Sequence, residues 1–389
     1  MKFFKVKNPP AGGKKSKARV GVIHTAHGDI HTPAFVPVAT KGTLKTIPPR
    51  EFQEIGVEVA FVNTFHLVAH PGAKVIQKFG GIHAYAKLGI PLMSDSAGFQ
   101  VFSLGGGDSQ KRIKTHEGEE VPVKKISEEG VLFRAPRDGK EILFTPELSM
   151  KYQQQIGADL IMAFDECIYH GADYQYTKQA TERTHRWLQR CIKAQKKSAS
   201  AKGYGEAKQY LYGIIQGGTF KDLRQESAKF VAEQATPGVA IGGVAIGETK
   251  KEIREQLRWV APYLPEDKPV HLLGIGQSDD ILDAVRYGVD TFDCVEPTRL
   301  ARNGIVYCSK SDFEQFARVD LGASKYLKEK GPIQKGCRCY TCQNFSLSFI
   351  HHLFKERELL GYYLATWHNL YSFAEFFRNL REQIAAGKI

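Results

Sequence analysis

Asp293, Arg299 and Arg302 fall within one short stretch, Val289-Asp-Thr-Phe-Asp-Cys-Val-Glu-Pro-Thr-Arg-Leu-Ala-Arg302. A carboxylate is a nucleophile, and guanidinium groups grip phosphate in a planar fork. The combination suits chemistry on a phosphate-bearing substrate, although a surface ion pair would explain this segment taken alone. Two further aspartates end apolar runs: Asp95 in Ser94-Asp-Ser-Ala-Gly-Phe-Gln100 and Asp165 in Ala163-Phe-Asp-Glu-Cys167. Two opposed carboxylates can cut a glycosidic bond, one attacking the anomeric carbon or activating water while the other manages the proton. A third can read a purine, because the N1–H and amino group of guanine are donors and a carboxylate only accepts. Any one of them could simply cap a helix. Three together, beside Gln216-Gly-Gly218 and Gly242-Gly243, call for more than capping, since glycine lets a flat heterocycle approach the backbone closely.

These residues need a frame that gathers them. Apolar, strand-like segments lie at 31–38, 57–67, 90–94, 158–165, 210–216, 239–244, 270–274 and 289–293, and amphipathic helical stretches at 177–199, 221–234, 249–264 and 279–287 separate several of them. Near-continuous apolar runs are expected of parallel strands covered on both faces. The alternation predicts an α/β fold of the (β/α)₈ TIM-barrel type, with a doubly wound sheet as the rival. Polar or glycine residues recur where the runs end, and a barrel collects all of them at one mouth, which favours the barrel. Gly274-Ile-Gly276 lacks the third glycine of a dinucleotide fingerprint and carries little weight. The polar, Gly/Lys/Glu-rich region 104–146 is expected to form a loop with a small hairpin over the mouth. Residues 1–324 are assigned to the barrel and 325–389 to a metal-binding subdomain with C-terminal helices at 345–361 and 371–386.

The 389 residues carry 54 Lys+Arg against 42 Asp+Glu, a net charge of +12 that favours a polyanionic partner, most often nucleic acid. The N-terminus lacks the apolar core of a signal peptide, and no run approaches the roughly 20 apolar residues that span a bilayer, so a cytoplasmic location and no membrane association are expected. Of seven cysteines, Cys337, Cys339 and Cys342 crowd one turn. Thiolates this close repel unless a metal neutralises them, and Zn²⁺ with one nitrogen ligand is the usual solution. Spacing alone leaves His351, His352 and His368 open as the fourth ligand. Lys325, Lys328, Lys330, Lys335 and Arg338 surround the turn and suit a phosphate backbone.

Taken together, Ser94-Asp-Ser-Ala-Gly-Phe-Gln-Val-Phe-Ser103, Met162-Ala-Phe-Asp-Glu-Cys167, Gly213-Ile-Ile-Gln-Gly-Gly218, Gly242-Gly-Val-Ala-Ile-Gly-Glu248, Phe292-Asp-Cys-Val-Glu-Pro-Thr-Arg299 and the cysteine turn resemble the tRNA-guanine transglycosylase family of the bacterial queuosine type, over nearly the whole chain. The resemblance implies exchange of the wobble guanine of GU(N)-anticodon tRNAs for a 7-deazaguanine, by double displacement through a covalent Asp–ribosyl intermediate. It implies that Asp293 is the nucleophile and Asp95 the general acid/base. Asp165, Gln216 and the Gly243 backbone would recognise the base, Phe99 would stack on it, and Arg299 and Arg302 would contact the anticodon loop. It adds His368 to Cys337, Cys339 and Cys342 as ligands of one structural zinc, and implies a homodimer.

The chain departs from the family pattern in places. Ala97 stands at a position that is commonly glycine, and its methyl is expected to narrow the space beside the pocket. Glu296 replaces an apolar residue and is expected to raise the pKa of Asp293. Leu300-Ala301 replaces the usual Ser-Gly. The bulk of Cys167 and Ile246 points to preQ1 as the incoming base over queuine, with queuine exchange and a non-catalytic tRNA-binding subunit as alternatives.

Overall fold

The structure is a computed structural model that describes residues 2–8, 16–98, 123–134, 141–199, 208–309 and 315–389. Eight short strands form the frame: β1 (Ala34–Pro37), β2 (Ala60–Val62), β3 (Leu92–Ser94), β4 (Leu160–Met162), β5 (Tyr210–Ile215), β6 (Gly238–Ile241), β7 (Val270–Leu272) and β8 (Thr291–Cys294). Each pairs in parallel with its sequence neighbour, and β8 pairs in parallel with β1 at Asp293↔Val36. A bridge between Val38 and Phe61 joins β1 to β2 and closes the ring. The chain is therefore a (β/α)₈ barrel, not a wound sheet.

Alternation along each strand divides the apolar residues between two cores. Val36, Phe61, Met93, Leu160, Met162, Tyr212, Ile214 and Ala240 fill the interior, while neighbours such as Ile161, Leu211 and Ile215 point outward under the helices. A three-stranded antiparallel sheet (Phe4–Asn8, Val20–Thr25, Gly28–Thr32) contributes Phe4, Ile23 and Ile30 to the inner core and plugs the end where the barrel strands begin. The expected strand at 31–38 is thus two elements, broken at Pro33. The expected strand at 57–67 likewise shortens to β2, because helix Thr64–Ala69 follows it at once.

Between β3 and β4, strands Val123–Ile126, Val131–Arg134 and Glu141–Phe144 form an antiparallel sheet. Phe133 packs on Phe65, Phe144 on Phe164, and the Trp187 indole donates to the Glu128 carbonyl. The remainder of the 104–146 expectation lies outside the described residues.

After β8, helix Glu296–Arg302 leads to a strand pair, Ile305–Ser309 with Phe316–Asp320. The C-terminal helices divide differently from expectation. Leu347–Lys355 stops before Arg357, whose φ of 58° breaks the helical path, and a single helix then runs from Leu359 to Ala385. Nothing in 359–370 opposes helix formation except Gly361, so the helix begins well before 371. It lies on the outside of the barrel, with Phe373 and Phe377 against Phe35 of β1 and Phe377 against Phe292 of β8. Among the described residues no helix is long and apolar enough to cross a membrane.

Candidate active site and metal centre

The C-terminal ends of the strands surround a cleft of ≈ 320 Å³ whose lining includes Asp95, Asp165, Gln216, Gly243 and Asp293. The barrel thus brings together all three aspartates, and it holds each in a different way.

Asp95 follows β3. The backbone N–H of Thr64 donates to its Oδ1 (2.7 Å), as does that of Ala97 (3.2 Å), and the Asn63 amide donates to Oδ2. Thr64 opens the helix after β2, so Asp95 does cap a helix, one from the neighbouring β/α unit. That tie fixes its rotamer at the cleft wall.

Asp293, on β8, is anchored through one oxygen. Gly274 N–H donates to Oδ1 (2.9 Å), and His271 Nε2 lies 3.2 Å from the same oxygen. His271 is fully buried on β7, and its Nδ1 lies 2.9 Å from Thr291 Oγ1. The consistent arrangement has Thr291 donating to Nδ1 and Nε2–H donating to Asp293. Oδ2 carries no hydrogen bond from the described residues.

Asp165, after β4, is the most deeply buried of the three. Gln216 Nε2 donates to its Oδ2 (2.7 Å) and Ser96 Oγ to its Oδ1 (3.4 Å). Desolvation outweighs these bonds, and with Asp95 nearby it pushes the carboxyl up to about 6. Gln216 Oε1 is buried and takes no hydrogen bond from the described residues. The site thus offers an unsatisfied amide oxygen beside a carboxylate whose oxygens each accept one bond and can accept another, both suited to N–H donors of a ligand. Gly243 (φ 63°) closes this wall; a Cβ there would come within 2.6 Å of Gln216 Oε1. Gly98 does the same beside Asp165, where a Cβ would meet the Asp165 carbonyl oxygen at 2.8 Å. Phe99 lies outside the described residues.

Two groups at the site gave no signal in the sequence. His271 sits within an apolar strand pattern that does not distinguish it. Arg224 sits on the inner face of helix Lys221–Glu233, fully buried, and donates to the carbonyls of Gly218 (2.7 Å), Gly242 (2.6 Å) and Gly243. One guanidinium thereby fixes both glycine turns. Burial lowers its pKa to about 10, still cationic at neutral pH. Glu166 turns away from the cleft to Arg183 and the Tyr176 hydroxyl.

Ala97 does not line the cleft; it is buried with φ 67°, a left-handed conformation that disfavours any Cβ, so its effect falls on the backbone and not on the pocket. Glu296 receives Arg318 (2.5 Å) and Gln277 (3.2 Å), so its charge has its own counter-ion. Leu300 and Ala301 pack on the outer core. Cys167 and Ile246 do line the cleft, and burial beside Asp165 keeps the Cys167 thiol protonated. Arg299 and Arg302 occupy the last turn of the short helix after β8, both half-buried, with Arg302 donating to the Thr298 carbonyl (2.8 Å).

Cys337, Cys339, Cys342 and His368 converge, their ligand atoms all within 4.8 Å of one another. His368 Nδ1 lies 3.9, 3.4 and 3.4 Å from the three sulfurs in that order. Its Nε2 donates to the Tyr307 carbonyl (2.8 Å), which leaves the Nδ1 lone pair facing the thiols, the tautomer a metal requires. Three soft sulfurs and one imidazole nitrogen fit tetrahedral zinc with no open position. His351 is committed to the Leu321 carbonyl, and His352 lies outside the cluster. The neighbouring Asn369 ties this centre to the barrel: it accepts from Tyr307 N–H and donates to the carbonyls of Ile305 and Pro297, the last in the arginine-bearing helix.

A family model described as queuine tRNA-ribosyltransferase matches residues 14–389. A protein of that name from Herpetosiphon aurantiacus is 43% identical over 368 residues, covering 95% of this chain and 86% of the relative. Relatives of the same name from Natranaerobius thermophilus (40%, 95% of this chain and 92% of the relative) and Psychrobacter cryohalolentis (41%, 96% and 91%) match equally broadly. With the closed barrel, the aspartate-lined cleft and the Cys₃His centre, these matches make the chain an enzyme of the tRNA-guanine transglycosylase family.

Proposed function

We propose that the enzyme exchanges the wobble guanine of GU(N)-anticodon tRNAs for preQ1, in queuosine formation, through an ester between Asp293 and the ribose. The observation that carries this reading is the asymmetric anchoring of Asp293, which lines the cleft: Oδ1 is fixed by Gly274 N–H and His271, while Oδ2 has no hydrogen bond from the described residues. A nucleophile wants one oxygen held and the other bare.

In the first displacement, the guanine nucleotide is turned out of the anticodon loop into the cleft, its phosphates held by Arg299 and Arg302. Asp293 Oδ2 attacks C1′, the C1′–N9 bond breaks, and its electron pair leaves with guanine, which takes up a proton. In the second, Asp95 removes the N9 proton of the incoming base as N9 attacks C1′ and expels the carboxylate. Two inversions give retention and ping-pong kinetics. Asp165 and Gln216 Oε1 accept from the N–H groups of either purine, Gly243 lets the ring approach, and Phe99 stacks on it. Cys167 and Ile246 occupy volume that a large ring substituent would need, which supports preQ1 over queuine.

Residues 325–389 form the zinc-closed subdomain packed on the barrel of residues 1–324. Cys337, Cys339, Cys342 and His368 hold the ion, which supplies cross-linking and no chemistry. The enzyme works in the cytoplasm as a homodimer. Mass spectrometry of tRNA incubated with enzyme and either preQ1 or queuine tests the reading. Efficient incorporation of preQ1 is expected; queuine incorporation at equal efficiency would overturn the base assignment, and no exchange of labelled guanine would overturn the activity.

A further inference from the structure

A second cluster of metal-ligating side chains lies at the other end of the barrel. His27 is in the turn between Val20–Thr25 and Gly28–Thr32, His83 is on helix Ile82–Ala86, and Asp159 immediately precedes β4. Three separate elements thus place an imidazole, an imidazole and a carboxylate together, with ligand atoms all within 4.8 Å of one another. His27 Nδ1 is 2.7 Å from Asp159 Oδ1 and His83 Nε2 is 3.1 Å from Oδ2, while Leu92 N–H also donates to Oδ2 (2.9 Å). The Asp159 side chain is fully buried, His83 is 10% exposed and His27 31%.

Two features of this cluster are unaccounted for by hydrogen bonding. His83 Nε2 is buried and makes no aligned hydrogen bond despite its distance from the carboxylate. The two imidazoles also lie face to face, centroids 3.4 Å apart and planes within 8°, an arrangement that leaves almost no offset and that neutral rings avoid. Both rings turn a nitrogen toward the same carboxylate, so three ligand atoms face one small space. We propose that His27, His83 and Asp159 bind a second divalent transition-metal ion of the zinc class, which staples the N-terminal sheet and helix Ile82–Ala86 to the base of the barrel. Two neutral imidazoles and one carboxylate suit Zn²⁺, Co²⁺ or Ni²⁺ and not Mg²⁺ or Ca²⁺, which demand oxygen. Parallel rings send their lone pairs along parallel lines, so binding requires them to hinge apart; His27, on a turn and partly exposed, is the side chain with room to do so. Solvent at His27 supplies the remaining ligands as water.

The site is independent of the catalytic reading, being at the strand ends remote from the cleft. The test is elemental analysis of the zinc-replete holoenzyme after dialysis at neutral pH against micromolar free Zn²⁺. His27→Phe and His83→Phe keep an aromatic ring in the stack and remove the nitrogen. We expect two zinc ions per chain in the wild type and one in each variant, and, on going from one bound zinc to two, a rise in Tm that His27→Phe abolishes with turnover unchanged. A single zinc in the wild type would overturn the proposal. A second zinc that survives both substitutions would overturn it equally.

Discussion

The barrel mouth and the cysteine centre are both clusters of buried polar groups, yet they are satisfied to opposite degrees. At the centre, four ligands converge and their supports are complete: His368 Nε2 is bonded to Tyr307, and Cys339 Sγ accepts from Cys342 N–H. At the mouth, Asp293 Oδ2 and Gln216 Oε1 are left without partners among the described residues, and Asp165 is buried at an energetic cost. A closed site stores stability, whereas an open one gives it up so that a ligand can supply the missing contacts. The contrast is sharpened by their coupling, because Asn369 carries the order of the metal centre into the helix that bears Arg299 and Arg302.

The largest effect should come from the closed site. His368→Ala, or chelation of the proposed zinc, should remove a binding free energy on the order of 10 kcal/mol that folding draws upon. Zinc content by elemental analysis and helical signal by circular dichroism should fall together, and tRNA affinity should fall with them as the arginine helix loosens. Retention of all three after zinc loss would break the proposed link.

Next is the proposed nucleophile of the open site. Asp293→Asn should lower kcat by at least about 10⁴-fold, roughly 5 kcal/mol of barrel-mouth chemistry, with tRNA affinity little changed. Steady-state guanine exchange and filter binding separate the two quantities.

Asp165→Asn should do opposite things to activity and stability. A carboxyl whose folded pKa is about 6, against an ordinary value of 3.8, destabilises the fold fully above pH 6, partly between the two values and not at all below 3.8. The variant should therefore be more stable than wild type by up to about 3 kcal/mol at pH 7.5, a margin that shrinks as pH falls from 6 toward 4. Base binding should weaken in the variant at every pH, and in the wild type below pH 6. Denaturant titrations across that range check the sign.

The smallest effect tests backbone against pocket. Ala97→Gly should stabilise by about 1 kcal/mol by relieving the left-handed strain while leaving kcat/KM unchanged. An altered preference between preQ1 and queuine would instead return the methyl to the pocket.

Much of this arrangement was legible in the sequence, for physical reasons that also mark the boundary. All eight barrel strands announced themselves because strands covered on both faces must be apolar throughout, and their polar ends marked the mouth. The Cys₃ turn was legible because thiols at that spacing have few other uses, whereas His368 was not, since a helix brings it back over a span that spacing does not encode. Element boundaries suffered where one apolar run served two elements, as at 31–38 and 57–67. Arg224 and His271 were hidden because each acts by pointing inward from an element whose sequence pattern is ordinary. Strain at Ala97 is a backbone property, visible only as a dihedral angle.

The most direct test of the account is to trap the reaction with tRNA and no incoming base, denature it, digest it, and locate the modified peptide by mass spectrometry. The account predicts a ribosyl adduct on Asp293, absent from Asp293→Asn. An adduct on Asp95, or turnover with retention and no adduct on any aspartate, would contradict it.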